Sequence, residues 1–146
     1  MEEINGDIWD LHAMGYWVVV PTNGNTDRDG RAVMGAGVAL QAAIKFPEIR
    51  MMLGNALAHD GNQVYVFPKQ RVITFPTKNH WKNDSEYPLI HRSAQELQRI
   101  TKSWLGIKPF ICSPKLGCGL GNLDWNAVKE ILDTYLEDKI IIVNKA

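Results

Sequence analysis

The chain is poor in cysteine, carries no net charge and contains no long apolar run, and each shortage removes a class of protein. Cys112 and Cys118 are its two cysteines, one in an apolar, strand-like run and the other inside a glycine turn. With no CxxC pair, zinc-ribbon and dithiol redox chemistry drop out, and two reduced thiols are expected. His12, His59, His80 and His91 show neither HExxH nor any other ligand spacing, so no metal site and no cofactor are expected. Lys plus Arg and Asp plus Glu number 16 each, which leaves no overall field to draw the chain to nucleic acid or to an anionic membrane; any nucleic-acid contact must be local. The apolar stretches are broken by charge or proline, and Met1-Glu2-Glu3 is acidic where a signal peptide would be basic. The sequence therefore reads as a cytoplasmic monomer with no membrane partner. It reads as a single domain over 1–146, because 146 residues at 45% hydrophobic suffice for one core and not for two.

What the chain does have is glycine in two short turns, Val33-Met34-Gly35-Ala36-Gly37 and Lys115-Leu116-Gly117-Cys118-Gly119-Leu120-Gly121. Each lies between a β-like apolar run and a helical pattern. Such a turn lets backbone N–H groups converge, and the following helix adds its positive end, so each can cradle a phosphate without a lysine. Two cradles on one sheet point to a diphosphate. Neither turn is a P-loop or a Rossmann fingerprint: no GxxxxGK[ST] occurs, and Asn122 stands where GxGxxG needs glycine.

The remaining pattern alternates strands with helices. Tyr16-Trp17-Val18-Val19-Val20 is continuously apolar, as in a strand buried on both faces, and Pro21 is expected to close it. Thr22 to Arg31 is a long polar loop with Asn23-Gly24 and Asp29-Gly30 turn signals. Val38, Ala39, Ala42, Ala43 and Phe46 predict a helix ended by Pro47, and Ile49, Met52, Leu53, Ala56 and Leu57 a second. Val64–Phe67 and Val72–Phe75 read as a hairpin. Ile90, Ala94, Leu97, Thr101 and Trp104 mark a long amphipathic helix stopped at Gly106. Pro109 to Cys112 leads into the second glycine turn, after which Asp124 caps a helix through Trp125, Val128, Ile131, Leu132 and Tyr135. Ile140–Val143 is a last buried strand. Strands buried on both faces and separated by helices predict an α/β fold, a three-layer α/β/α sandwich with a central mixed, mostly parallel sheet.

In order along the chain, Gly6-Asp7-Ile8, Val19-Val20-Pro21-Thr22-Asn23-Gly24, Val33 to Ala39, Phe75-Pro76-Thr77-Lys78 and Pro114 to Gly121 resemble the signature segments of macro domains. The resemblance covers nearly the whole chain. It is strongest to the ADP-ribosyl hydrolase branch that holds the terminal ADP-ribose glycohydrolase, which acts on protein glutamate, and the bacterial antitoxins that remove ADP-ribose from thymidine in DNA. It implies an ADP-ribose cleft above the carboxyl ends of the strands, where open α/β sheets generally bind ligands.

Residue by residue, the resemblance implies that Asp7 accepts from the adenine amino group and that Ile8 offers its backbone N–H; a plain turn carboxylate is the other reading of Asp7. Gly35, Ala36 and Gly37 match the loop passing the distal ribose and one phosphate, where a Cβ would block the backbone's approach. Gly117, Cys118, Gly119, Leu120 and Gly121 match the second phosphate loop. Asn23 lies near a loop asparagine that holds the distal ribose, though Pro21 replaces its usual companion, and a simple turn role fits as well. Lys78 matches the lysine beside the anomeric carbon. It could attack the ring-opened sugar as an amine or, staying charged, steady the departing group.

Gly121 stands where the protein-glutamate hydrolase has an aspartate; Asp124 is expected to cap a helix rather than replace that acid. The DNA-acting antitoxins also have glycine there, so the resemblance favours cleavage of an N-glycosidic bond to a nucleobase. Lys69, Arg71, Lys78, His80 and Lys82 gather in sequence around Trp81, which suits single-stranded DNA; a solvated hairpin with Trp81 packed beneath it is the competing reading, and Asp84 and Glu86 dilute the charge. The expected function is thus an ADP-ribosyl hydrolase whose ligand or product is ADP-ribose and whose partner is an ADP-ribosylated macromolecule. Its rivals are an ADP-ribose 1''-phosphate phosphatase, a non-catalytic ADP-ribose reader and a site for another nucleotide.

Overall fold

The computed structural model describes residues 1–104 and 110–145. Val18, Val19 and Val20 are all fully buried, which consecutive strand residues achieve only when both faces of their sheet are covered. They lie in β2 (Trp17–Thr22), near the middle of a sheet that also contains β1 (Glu3–Gly6), β3 (Tyr65–Phe67), β4 (Val72–Pro76), β5 (Ile111–Ser113) and β6 (Ile140–Lys145). The order is β1-β6-β5-β2-β4-β3, with every neighbouring pair parallel except β3 with β4. The helices are α1 (Ile8–Ala13), α2 (Gly37–Lys45), α3 (Ile49–Asp60), α4 (Tyr87–Lys102) and α5 (Trp125–Leu136).

Alternation along β2 divides the core in two. Val18 and Val20 join Val72, Cys112 and Val143 against Leu11, Ala39, Ala42, Ile49 and Leu53 of α1, α2 and α3. Val19 joins Ile73, Phe75, Ile111 and Ile142 against Ile90, Ala94, Leu97, Val128 and Leu132 of α4 and α5. This is the three-layer α/β/α sandwich that the sequence predicts. Burying each such aliphatic side chain stabilises the fold by about 1.5–3 kcal/mol, whereas an exposed ion pair contributes about 0–1 kcal/mol, so the two apolar clusters hold the layers together.

Several boundaries differ from the sequence expectation for physical reasons. β2 does not stop at Pro21 but runs through it to Thr22. The Trp17 N–H donates to the Phe110 carbonyl at 2.8 Å and the Val18 N–H to the Arg71 carbonyl at 3.0 Å, so alternation aims the Pro21 nitrogen at the β5 side. There β5 pairs with Trp17 and Val18 alone, and the missing donor costs no ladder bond. β1 and α1 carry no clear periodicity and were not expected. Asp7 starts α1 by accepting the Trp9 N–H at 2.9 Å. α4 begins at Tyr87 rather than Ile90, because Pro88 in the first turn has its φ preset and needs no partner for a nitrogen. It ends at Lys102, and Trp104 instead packs its ring 5.2 Å from that of Trp17. The stop expected at Gly106, and Pro109, fall outside the described residues. Asp124 caps α5, taking the Ala127 N–H at 3.1 Å, a bond of about 1 kcal/mol.

The loop between β2 and α2 is tied down by Asp27. Its Oδ1 accepts the amides of Asp29 at 2.9 Å and Arg31 at 3.0 Å, and its Oδ2 accepts Arg50 Nη2 of α3 at 3.1 Å. The Arg31 amide foremost, then the Asp29 amide and the two guanidinium groups, hold this carboxyl below its usual range against a smaller opposing effect of burial. A depressed folded pKa adds stability above the unfolded value, near 3.9, which is lost as pH falls through the lower folded value. The wild type should therefore show a higher urea midpoint than Asp27→Asn at pH 7, with the gap closing below about pH 4. Equal midpoints at pH 7 would refute this role.

Candidate functional site

The parallel strands β2, β4 and β5 deliver their carboxyl ends to one side of the sheet, and a cleft of about 740 Å³ opens there. From the end of β2 and the residue after it come Pro21, Thr22 and Asn23; from the chain after β4, Thr77 and Lys78; from the chain after β5, Pro114, Lys115 and Gly117 to Gly121. Val33 to Ala39, Trp81 and Ser85 complete the wall. Pairing of β2 with β4 continues past the strands, since the Thr77 N–H donates to the Thr22 carbonyl at 3.0 Å and the Gly24 N–H to the Asn79 carbonyl at 3.1 Å. This fixes the backbone of Lys78 beside Asn23. Below it, the buried Ser93 hydroxyl of α4 donates to the Pro76 carbonyl at 2.7 Å.

Of the residues singled out in the sequence, Asn23, Gly35, Ala36, Gly37, Lys78 and Gly117 to Gly121 all line this cleft. Asp7 and Ile8 do not. They follow β1 at the sheet edge, with β6 and β5 between them and β2; Asp7 caps α1, and Ile8 is buried. The Asn23 amide holds its own loop, donating to the Val33 carbonyl at 3.1 Å and accepting the Asn25 N–H at 2.9 Å, which is the turn role.

Both glycine turns present free donors. α2 begins at Gly37 with no side-chain cap on its first turn, so its first N–H groups and positive end face the cleft with no acceptor among the described residues. In the second turn the Leu123 N–H donates to the Gly117 carbonyl at 2.9 Å and the Asn122 N–H to the Gly119 carbonyl at 3.2 Å. The amides of Gly119, Leu120 and Gly121 find no acceptor among the described residues. Gly117 has φ +76°, a conformation that a side chain would strain.

Charge in the cleft is sparse. Lys78 and Lys115 are the basic side chains in its wall, and among the described residues no aspartate or glutamate joins them. Lys115 lies with its ammonium 5.6 Å from the Trp125 ring centre. Half-buried Lys78 donates from Nζ to the Trp81 carbonyl at 3.3 Å. Burial pushes the Cys118 thiol up, and that of Cys112 up to about 12, so Cys118 enters the cleft as a neutral side chain rather than a thiolate nucleophile.

The cationic cluster read from the sequence does not hold together in space. Lys69 and Arg71 precede β4 while Lys78, His80 and Lys82 follow it, and a strand of this length separates its ends by roughly 17 Å. Arg71 is turned to the His12 carbonyl at 2.6 Å. Trp81 is not packed beneath a hairpin either, being 50% exposed.

Sequence reasoning missed Ser85, which sits in a polar stretch with no periodicity or motif to mark it. Its N–H donates to the Gly121 carbonyl at 3.0 Å, and the next N–H, of Glu86, to the Thr77 carbonyl at 3.0 Å, so it bridges the two halves of the cleft wall. Its hydroxyl is buried without a partner among the described residues. A Cβ on Gly121 would stand 2.2 Å from that hydroxyl and 2.5 Å from the Gly117 carbonyl oxygen.

A doubly covered, mostly parallel sheet with two amide-lined turns at the strand ends is the plan of a macro domain, and the chain belongs to that family. No family model matches it; the assignment stands on relatives and on shape. The chain is similar to the macrodomain of Mycobacterium tuberculosis DarG, with a TM-score of 0.81 at 26% identity over 99% of this chain and 97% of that one. It is also 31% identical over 128 residues to the DNA ADP-ribosyl transferase-DNA ADP-ribosyl glycohydrolase fusion protein of Thermosipho africanus, covering 71% of this chain and 32% of the relative. The structure of Thermosipho africanus DarTG in complex with ADP-ribose superposes with a TM-score of 0.78 at 24% identity, over 99% of this chain and 42% of that one. Within the macro domains the chain thus falls in the DarG branch. It spans about a third of the length of the curated relative.

Proposed function

We propose that this chain binds ADP-ribose and hydrolytically removes it from a macromolecule, with a DNA nucleobase as the favoured acceptor. The observation that carries the reading is the pairing of two amide groups without acceptors among the described residues, at the start of α2 and at Gly119 to Gly121, with a cleft whose described wall holds Lys78 and no carboxylate. The amides suit a pyrophosphate. Outside the cleft wall, on the same rim of the sheet beyond β5 and β6, exposed Asp7 keeps Oδ2 free of described partners, and the Ile8 N–H that opens α1 has no acceptor among the described residues; together these suit the edge of adenine.

In the reaction, water adds its oxygen to the anomeric carbon of the distal ribose as the C–N bond breaks. The base leaves with the bonding electrons and gains a proton, and ADP-ribose is released with a new hydroxyl. Lys78 acts beside that carbon, as an ammonium steadying the electrons that leave with the base or, as an amine, adding to C1 of the opened sugar as the base departs. In the second case the resulting imine is then hydrolysed by water to free the lysine and ADP-ribose. No metal or organic cofactor enters this scheme, and the neutral, unbridged thiols fit a reducing cytoplasm. Single-stranded DNA is the partner that the exposed Trp81 and neighbouring Lys82 suit. Names among the relatives support the same reading, since the Thermosipho africanus fusion protein is a DNA ADP-ribosyl glycohydrolase in one of its parts.

The test is a turnover assay on an ADP-ribosylated thymidine oligonucleotide, an ADP-ribosylated peptide and ADP-ribose 1''-phosphate side by side. Free ADP-ribose should appear from the oligonucleotide. Release of inorganic phosphate alone would make the protein a phosphatase, and binding of ADP-ribose without any turnover would make it a reader.

A further inference from the structure

We infer that Trp81 is a stacking platform for a nucleobase of single-stranded DNA next to the modified nucleotide, with Lys82 meeting the adjoining phosphate. This rests on the DNA substrate proposed above and specifies how the strand outside the cleft is held. Trp81 lies in the cleft wall yet stays half exposed, an unusual outlay of apolar surface for a loop residue. Its backbone is fixed on both sides. The N–H donates to Asn25 Oδ1 at 2.8 Å, and the carbonyl accepts the Lys78 amine at 3.3 Å. A base stacked on this indole is therefore held at a set offset from the amine assigned to the chemistry.

The charges around the ring fit a phosphodiester. The Lys82 ammonium is 5.2 Å from the ring centre, and the His80 ring stacks at 6.0 Å with a 23° interplanar angle. The acidic neighbours are engaged elsewhere: Asp84 Oδ1 accepts Asn122 Nδ2 at 2.8 Å, and Glu86 Oε2 accepts Asn79 Nδ2 at 3.2 Å. Lys82 forms no ion pair among the described residues. An ammonium resting on an exposed indole is displaced readily by a base, and it then lies close to that nucleotide's phosphate. Aromatic stacking tolerates any base, so the contact adds grip without sequence preference.

The experiment compares the wild type with Trp81→Ala, Trp81→Phe and Lys82→Ala. Affinity for a short unmodified oligothymidylate is read by fluorescence anisotropy at several salt concentrations, and KM and kcat are read on the ADP-ribosylated oligonucleotide and on the ADP-ribosylated peptide. A melting shift with ADP-ribose confirms that each variant keeps a folded cleft. Trp81→Ala should weaken oligothymidylate binding about tenfold and raise KM on the oligonucleotide, while Trp81→Phe recovers most of the loss. Lys82→Ala should flatten the slope of log affinity against log salt by about 0.7. Unchanged oligothymidylate affinity in Trp81→Ala would overturn the platform, as would an equal KM rise on the peptide, which would make this a protein-binding surface. If the wild type hydrolyses no DNA substrate while Trp81→Ala still loses oligothymidylate affinity, the platform stands and the DNA substrate falls.

Discussion

Lys78→Ala should keep its affinity for ADP-ribose and lose turnover of the ADP-ribosylated oligonucleotide by about a hundredfold or more, the usual cost of deleting one preorganised donor aimed at developing charge. The expectation follows from what surrounds the cleft. Its wall contains no aspartate or glutamate among the described residues, and the other lysine, Lys115, rests against Trp125. The turns proposed to cradle the pyrophosphate are built from backbone amides, so binding there does not need the Lys78 amine, and a split between retained affinity and lost rate is the signature of a group that acts in the transition state. Lys78→Arg then separates the two roles. Arginine keeps the charge but cannot add to an opened sugar, so partial activity indicates electrostatic support, and full loss together with a borohydride-trapped adduct in the wild type indicates covalent attack. Wild-type turnover in Lys78→Ala would end any catalytic assignment for this residue.

Gly121→Ala should lower the melting temperature by roughly 5–10 °C and abolish the further rise that ADP-ribose gives the wild type. The added carbon meets two obstacles, the Ser85 hydroxyl at 2.2 Å and the Gly117 carbonyl oxygen at 2.5 Å. The hydroxyl can swing aside. The carbonyl cannot, because it belongs to a residue at φ +76° and accepts the Leu123 N–H at 2.9 Å. Relief therefore requires the turn to reopen, which scatters the amides it presents. Overpacking typically costs about 1–3 kcal/mol, and in a domain of this size each kcal/mol moves the midpoint by a few degrees. Adding Ser85→Gly to Gly121→Ala should not restore binding; if it does, the hydroxyl and not the carbonyl was the barrier. The same crowding means that an aspartate cannot simply be placed at 121.

Much of this was legible in the chain because it depends on local signals. The continuous Val18-Val19-Val20 run fixed a doubly covered strand, Asp124 sat where a cap belongs, and the glycine turns marked the strand ends that form the cleft. What escaped was whatever depends on partners distant in sequence. Pro21 reads as a stop until it is clear that β5 does not reach it. β1 is a half-exposed edge strand whose pairing with β6 comes from the other end of the chain. Lys69 and Arg71 look adjacent to Lys78 in a linear reading, yet a whole strand lies between them. Ser85 matters only because Gly121 returns to it across the cleft, and no window of residues contains both.

The shortness of β5 has a further consequence. Beyond Val18 the upper half of β2 pairs with no strand on that side among the described residues, and the chain after Ser113 leaves the sheet at Pro114 and joins the cleft wall. The sheet is thus notched at its rim, and the cleft opens at the missing corner. Carried on in the same register, β5 would set Pro114 against Val20 and Lys115 against Pro21, and neither proline nitrogen can donate, so the two strands part there and the gap between them does not close.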